Sequence, residues 1–183
     1  MSLPGPKFTY EDYLLLPEDK RYELIEGELL VTPAPTARHQ RTLLRLAVRL
    51  STHVEAAGLG QVLPAPTDVV LSNETVIQPD LLFVVKQRQG IINLDGGVHG
   101  APDLVVEILS PSTAGRDQVF KRKLYGKYGV REYWVIDPVS AGIEVLTLGA
   151  NGLETWRVFP AGTALISPLL PDFSLTVDYL FAE

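Results

Sequence analysis

Residues 103–109 read DLVVEIL, a strand-length apolar run with one carboxylate, Glu107, set inside it. It is the most apolar strand of the chain, and a strand apolar on both alternating faces belongs in the middle of a covered sheet. A carboxylate buried there without a partner costs several kcal/mol or loses its charge. Glu107 therefore calls for a lysine, an arginine or a metal. Two readings stand: a site residue, or a structural ion pair or strand-end residue already in solvent.

The elements around this strand follow in order. Thr9 caps a short helix with acids in its first turn. Runs 22–25 and 28–32 flank Glu26 and Gly27, a two-residue hairpin signal. Residues 36–57 read as a long amphipathic helix ended by Gly58, with Leu43, Leu46, Ala47, Leu50 and Val54 on one side. Arg38, Arg41, Arg45 and Arg49 form a narrow stripe opposite. His39 falls nearer the apolar side and reads as a satisfied, partly buried histidine rather than a catalyst. Strand-like runs follow at 68–71 and 75–77 across a turn at 72–74, and 80–85 continues the second beyond Gln78 and Pro79. After the 103–109 strand, residues 110–113 start a second helix over about 114–128, closed by Gly129. A strand at 131–137, a hairpin of 143–148 with 154–159, and a final turn at 177–181 complete the chain.

This order predicts an α/β fold with a mixed central β-sheet flanked by helices and additional N- and C-terminal β-hairpins. At 183 residues a single domain is expected, with a core over 36–138, an N-terminal helix and hairpin at 9–32, and a C-terminal hairpin and tail at 143–183. A composition 46% hydrophobic and 21% charged is that of a globular protein and excludes a disordered chain. No apolar run approaches ~18 residues, so no membrane span is expected, and a cytoplasmic location follows. The absence of cysteine excludes disulfides, thiolate zinc sites and a cysteine nucleophile.

The net charge of −6 argues against a general nucleic-acid coat protein. The basic residues, however, concentrate in the Arg38–Arg49 stripe and in Arg116, Lys121, Arg122, Lys123, Lys127 and Arg131. Either these are two solvated helix faces, or they hold a polyanion locally.

Two further residues join Glu107. Asp80 opens an apolar strand after Pro79, and alternation sets it on one face with Leu82 and Val84. If its strand neighbours that of Glu107, both acids converge on one ion; otherwise it is an ordinary Pro-Asp turn. Lys121 falls within the inward arc of the second helix, marked by Phe120, Leu124, Tyr125 and Tyr128. Asp117, one turn earlier, is its structural partner; Glu107 is its functional one. Other chemistries fit poorly. The chain has no phosphate-binding Gly-rich loop, no metal-ligand spacing among His39, His53 and His99, and no Gly-x-Ser-x-Gly elbow. Glycoside hydrolysis by two carboxylates is disfavoured by Lys121 and the short chain.

The blocks YELIEGEL at 22–29, PAPTARH at 33–39, QPD at 78–80, DLVVEILSPS at 103–112 and GVREYWVIDP at 129–138 carry a resemblance. Together and in this order they resemble a large family of uncharacterised bacterial proteins described as restriction endonuclease-like, within the PD-(D/E)XK nuclease superfamily. The resemblance spans roughly residues 10–180. It implies a restriction endonuclease-like core, in which Pro79 and Asp80 match the Pro-Asp element and Glu107 the following acid. The lysine expected after Ile108 is replaced by Leu109, and Lys121 is the position that fits its relocation to the next helix. A further N-terminal acid is implied, Glu28 first and Glu23 as its substitute. The implied activity is DNA phosphodiester hydrolysis, with Mg²⁺ or Mn²⁺ held by Asp80 and Glu107. Arg38, Arg41, Arg45, Arg49 and Lys123 would hold backbone phosphates, and a homodimer is expected, with the C-terminal hairpin as a candidate edge. The alternative is a catalytically inactive DNA-binding or protein-interaction module with the same fold.

Overall fold

The computed structural model describes residues 7–17, 19–110 and 116–182. In chain order these form α1 (Tyr10–Tyr13), β1 (Arg21–Ile25), β2 (Glu28–Thr32), α2 (Ala37–Ala56), β3 (Gly60–Pro64), β4 (Val69–Ser72), β5 (Thr75–Ile77) and β6 (Leu81–Val85). A 3₁₀ turn (Lys86–Ile91), β7 (Ile92–Asn93), β8 (Gly97–His99), β9 (Leu104–Ile108), α3 (Arg116–Tyr128) and β10 (Glu132–Asp137) follow. The chain continues through β11 (Gly142–Gly149), β12 (Gly152–Phe159), β13 (Ala164–Ile166), β14 (Ser174–Thr176) and α4 (Val177–Phe181). In α3 the side chains are described from residue 119 onward. The expected helix start at 110–115, beyond Ser110, lies outside the described residues, as do the side chains of Arg116 and Asp117.

The strands assemble into two six-stranded mixed sheets, β2-β1-β5-β4-β8-β7 and β12-β11-β10-β9-β6-β3, plus a β13-β14 ribbon. The sequence pattern led to a single central sheet. The second arises because β5 and β6, read as one continued strand, belong to different sheets. Pro79 has no N–H to donate to a ladder, and the chain crosses between sheets at Gln78–Asp80. β7 and β8 are two and three residues long, too short to show a period.

β9 does lie inside its sheet, parallel to β10 and antiparallel to β6. Its alternation divides the protein. Leu104, Val106 and Ile108 face a cluster with Leu43, Leu46, Leu50 and Val54 of α2 and with Leu175, Val177 and Leu180 of the C-terminal tail. Val105 faces the opposite cluster, with Leu124 and Tyr125 of α3 and with Ile25, Val69 and Ile77 of the first sheet. Burying such a side chain contributes roughly 1.5–3 kcal/mol. Glu107 alternates with Val106 and so falls on the α3 side.

Local signals explain the element ends. Thr9 and Asp12 form a reciprocal capping box on α1. The Thr36 hydroxyl caps α2 by accepting from the His39 N–H at 3.2 Å. At the β1–β2 turn, Glu26 and Gly27 have φ of 51° and 86°, the pair of positive values that a two-residue hairpin turn of the primed type demands. The segment 177–181 is a short helix rather than a turn. Among the described residues no helix is long and apolar enough to cross a membrane.

Candidate active site

The crossing at Gln78–Asp80 brings acids from both sheets to one place. β6 pairs with β9 in the register Leu81↔Val106 and Leu82↔Val105. One further step along that register sets Asp80 opposite Glu107. Glu23 comes from β1 in the other sheet, where its Oε1 accepts the Gln78 N–H at 3.0 Å. α3 closes the group from one side. Lys121 Nζ lies 2.9 Å from Glu107 Oε1 and 3.4 Å from Glu23 Oε1. The Tyr125 hydroxyl, one helical turn on, donates a short hydrogen bond to Glu107 Oε1. The start of α2 closes the other side, with His39 Nε2 3.0 Å from Asp80 Oδ2. The same oxygen accepts the Ile108 N–H at 2.7 Å.

Two carboxylates, Glu107 and Glu23, thus share one ammonium, with Asp80 beside Glu107 on the neighbouring strand. Burial of Glu107 is the main influence on its acidity; Lys121 opposes it, while the charges of Asp80 and Glu23 reinforce it, and the carboxyl is pushed up to about 7. Burial alone would depress Lys121, but Glu107 and Glu23 reverse this and hold it above the usual lysine range, so it stays charged. Burial, and then the Glu107 charge, push up the phenols of Tyr125 and Tyr133, so both stay neutral and Tyr125 keeps the proton it donates to Glu107.

The structure brings Asp80, Glu107 and Lys121 together and gives Lys121 the partner Glu107. It places Glu23, not Glu28, beside them. Glu28 is exposed at the turn end of the hairpin, opposite Ile25, because the buried positions Glu23, Leu24 and Ile25 all lie on β1. Phe120 is also more exposed than the helical arc implied, at 38%.

The arginine stripe divides. The Arg45 guanidinium donates to the carbonyls of Tyr179 and Ala182 at the end of α4, and both Arg45 and Arg49 lie within 6 Å of the Tyr179 ring. Arg45 is thereby corrected from a surface contact to a half-buried tie between α2 and the C-terminal helix. Arg38 and Arg41 are exposed and line a cavity of about 270 Å³ with Thr42, Pro138, Ala141, Leu180 and Phe181. Lys123 is exposed on α3. Its neighbours are engaged: Arg122 with the Leu153 carbonyl at 2.9 Å and Lys127 with Glu26 at 2.9 Å.

Three contributors escaped the sequence reading. His39 was set aside because it sits near the apolar face of its helix, yet that position points it at Asp80. Tyr125 carried a usable signal, standing four residues after Lys121 on the same face. Gln78 holds Glu23 through its backbone and Asp68 through its side chain, at 2.7 Å, which no pattern displays.

Among the described residues no three Asp, Glu or His side chains converge as a ready cage for an ion. Lys121 Nζ occupies the space between Glu107 and Glu23. The donor chemistry nevertheless fits a hard divalent cation, since carboxylate oxygens are what Mg²⁺ and Mn²⁺ prefer, and the acids outnumber the ammonium.

No curated protein matches the chain. The crystal structure of a "putative nuclease belonging to DUF820" from Anabaena variabilis matches with a TM-score of 0.78 and 24% identity, over 95% of this chain and 97% of that one. At that identity the likeness establishes a shared fold. The family Uma2, described as "putative restriction endonuclease", matches residues 10–178. With nearly its whole length so matched, the chain belongs to this nuclease family.

Proposed function

We propose that the protein is a divalent-metal-dependent endodeoxyribonuclease that hydrolyses DNA phosphodiester bonds. The observation that carries this reading is the charge balance: at the crossing of two sheets Glu107 and Glu23 share one lysine, and Asp80 lies opposite Glu107 on the neighbouring strand. Restriction endonuclease-like families generally use divalent metals. Asp80 and Glu107 would hold Mg²⁺ or Mn²⁺, with Glu23 as the third acid. The ion, when bound, supplies a water of lowered pKa and neutralises charge on the phosphate. Lys121, charged and held at fixed distances, orients the attacking water or stabilises the charge that develops on the phosphate. Tyr125 fixes the Glu107 oxygen by its hydrogen bond. Arg38, Arg41 and Lys123 contact backbone phosphates without reading sequence.

Cutting both strands is served by a dimer. The open edge strand β12 exposes Trp156 and Val158, which supports pairing there in a cytoplasmic homodimer; sedimentation of wild type and Val158→Lys tests it, and identical monomers would end that reading.

A second reading, a non-catalytic DNA-binding or protein-interaction module, is favoured by one observation. Lys121 already bridges Glu107 and Glu23, as a purely structural ion pair would. Mn²⁺ calorimetry and plasmid cleavage on wild type, Asp80→Ala and Glu107→Ala separate the two. Nuclease chemistry requires Mn²⁺ binding and cutting in wild type and loss of both in each variant. Equal Mn²⁺ binding in all three removes the metal site, and no cleavage with any divalent ion leaves the module.

A further inference from the structure

We infer that His39 is the positioning residue of the acid cluster: it fixes the rotation of the Asp80 carboxylate through Nε2, while its second ring nitrogen is left without a partner among the described residues. The inference rests on the proposed metal site and assigns a role within it.

The geometry is specific. Two protein donors converge on one oxygen, Asp80 Oδ2: the Ile108 N–H at 2.7 Å and His39 Nε2 at 3.0 Å. With Oδ2 already accepting the Ile108 N–H, Nε2 is taken as the second donor to the same oxygen. The His39 side chain is 9% exposed. Its Nδ1 is buried and, among the described residues, has no hydrogen-bond partner. A structural histidine ordinarily satisfies both nitrogens, and an unmade buried bond costs stability. Here the ring is placed for Nε2 at the expense of Nδ1.

The consequence falls on Asp80. With Oδ2 committed to both donors, rotation about the last side-chain bond is stopped, and Oδ1 is the oxygen left for a ligand. Ile108 adjoins Glu107 on β9, so its N–H ties Asp80 to the strand of the other acid. His39 ties it to α2, held at its own N–H by the Thr36 cap. His39 also lines a cavity of about 210 Å³ with Thr36, Arg38, Leu109, Pro138 and Val139. One side chain therefore joins Asp80 to that opening.

Calorimetric titration with Mn²⁺ alone tests this on wild type, His39→Gln, His39→Asn and His39→Leu, with Asp80→Ala as control and circular dichroism to confirm folding. A glutamine amide reaches the Nε2 position and an asparagine amide reaches only Nδ1. Affinity close to wild type is expected for His39→Gln, and losses of about 10- to 100-fold for His39→Asn and His39→Leu. If His39→Asn and His39→Leu bind Mn²⁺ like wild type while Asp80→Ala does not, the positioning role is overturned and the metal site survives. If His39→Gln is as weak as His39→Asn, the Nε2 donor is not what matters and the inference falls. If wild type itself takes no Mn²⁺, the metal reading fails and this role fails with it. Should His39→Leu not fold, the Gln and Asn pair alone decides.

Discussion

Two acids stand four residues apart at the ends of β9, and their surroundings are opposite. Asp103 is fully buried, with its Oδ2 taking the Val85 N–H at 3.0 Å. Its Oδ1 faces two guanidinium groups, Arg88 at 2.9 Å and Arg131 at 3.3 Å, whose side chains remain partly exposed. One negative charge has two positive partners. At the other end, Glu107 shares the single Lys121 with Glu23 and has Asp80 opposite it. Glu132, buried nearby, follows the first pattern with neutral donors, taking bonds from Trp134, Ser167 and Leu169. The acids at the sheet crossing have donors too, but there Asp80, Glu107 and Glu23 gather where Lys121 is the one ammonium among the described residues that bonds any of them. A shortage of positive charge there is what a bound cation would correct.

The largest expected effect breaks the symmetry of the two ends. Glu107→Gln should abolish Mn²⁺-dependent cleavage of plasmid DNA, by at least about 10³-fold, the size seen when a key electrostatic group is removed. Its urea midpoint should hold or rise, since ionised Glu107 is held against its burial. Asp103→Ala should instead lower stability by about 3 kcal/mol, by removing one partner of a buried ion pair. Equal destabilisation by both changes would mean the two ends are equally structural.

Lys121→Met comes next. It leaves Glu107 and Glu23 without their ammonium, and cleavage should fall about 10²-fold or more. Stability should fall more at pH 8 than at pH 5, because protonation relieves the acids. Thermal melts at the two pH values check this; a pH-independent loss would show that Lys121 acts by packing alone.

A smaller effect follows from Glu107 itself. Its carboxyl sits at about 7 in the folded chain against an ordinary 4.5. Between those values the folded protein holds a proton that the unfolded chain has released. Stability therefore falls as pH rises through that window, and the loss is complete above it. Melting curves of the metal-free protein from pH 4.5 to 8 should show this slope, and Glu107→Gln should flatten it. A rising slope in wild type would reverse the assignment of the proton.

The smallest contrast lies along the arginine stripe. Arg45→Ala should cost about 1 kcal/mol of stability, its hydrogen bonds being to α4, and leave DNA affinity unchanged. Arg38→Ala and Arg41→Ala should each reduce the salt slope of DNA binding by about one. A DNA defect in Arg45→Ala alone would invert this division.

The acids were readable one strand at a time. Glu107 stood out against its apolar neighbours, and Lys121 on a buried helical face signalled a missing acid. Glu23 did not stand out from Glu28, because both lie in a short hairpin and only the pairing of β1 beside β5, with β2 at the sheet edge, distinguishes the buried strand. His39 was unreadable as a site residue for a related reason: helical periodicity tells which face is turned inward, not which residue of another element waits there. The two-sheet division was hidden by Pro79, which reads as a break within a strand yet marks a passage between layers.

What the amino-acid order determined by itself was local and periodic: the α2 stripe, the buried alternation of β9, the caps at Thr9 and Thr36, and the misfit of one carboxylate in an apolar run. These depend on neighbours within a few residues, so the chain displays them directly. The tertiary structure decided which acid joined Glu107, which arginines were spent on α4, and that a histidine from the opposite face would hold Asp80. Those outcomes depend on contacts between residues 41 and 134 positions apart in the chain. Only the packing of two sheets and their helices brings such residues within reach, and no repeat in the sequence encodes it.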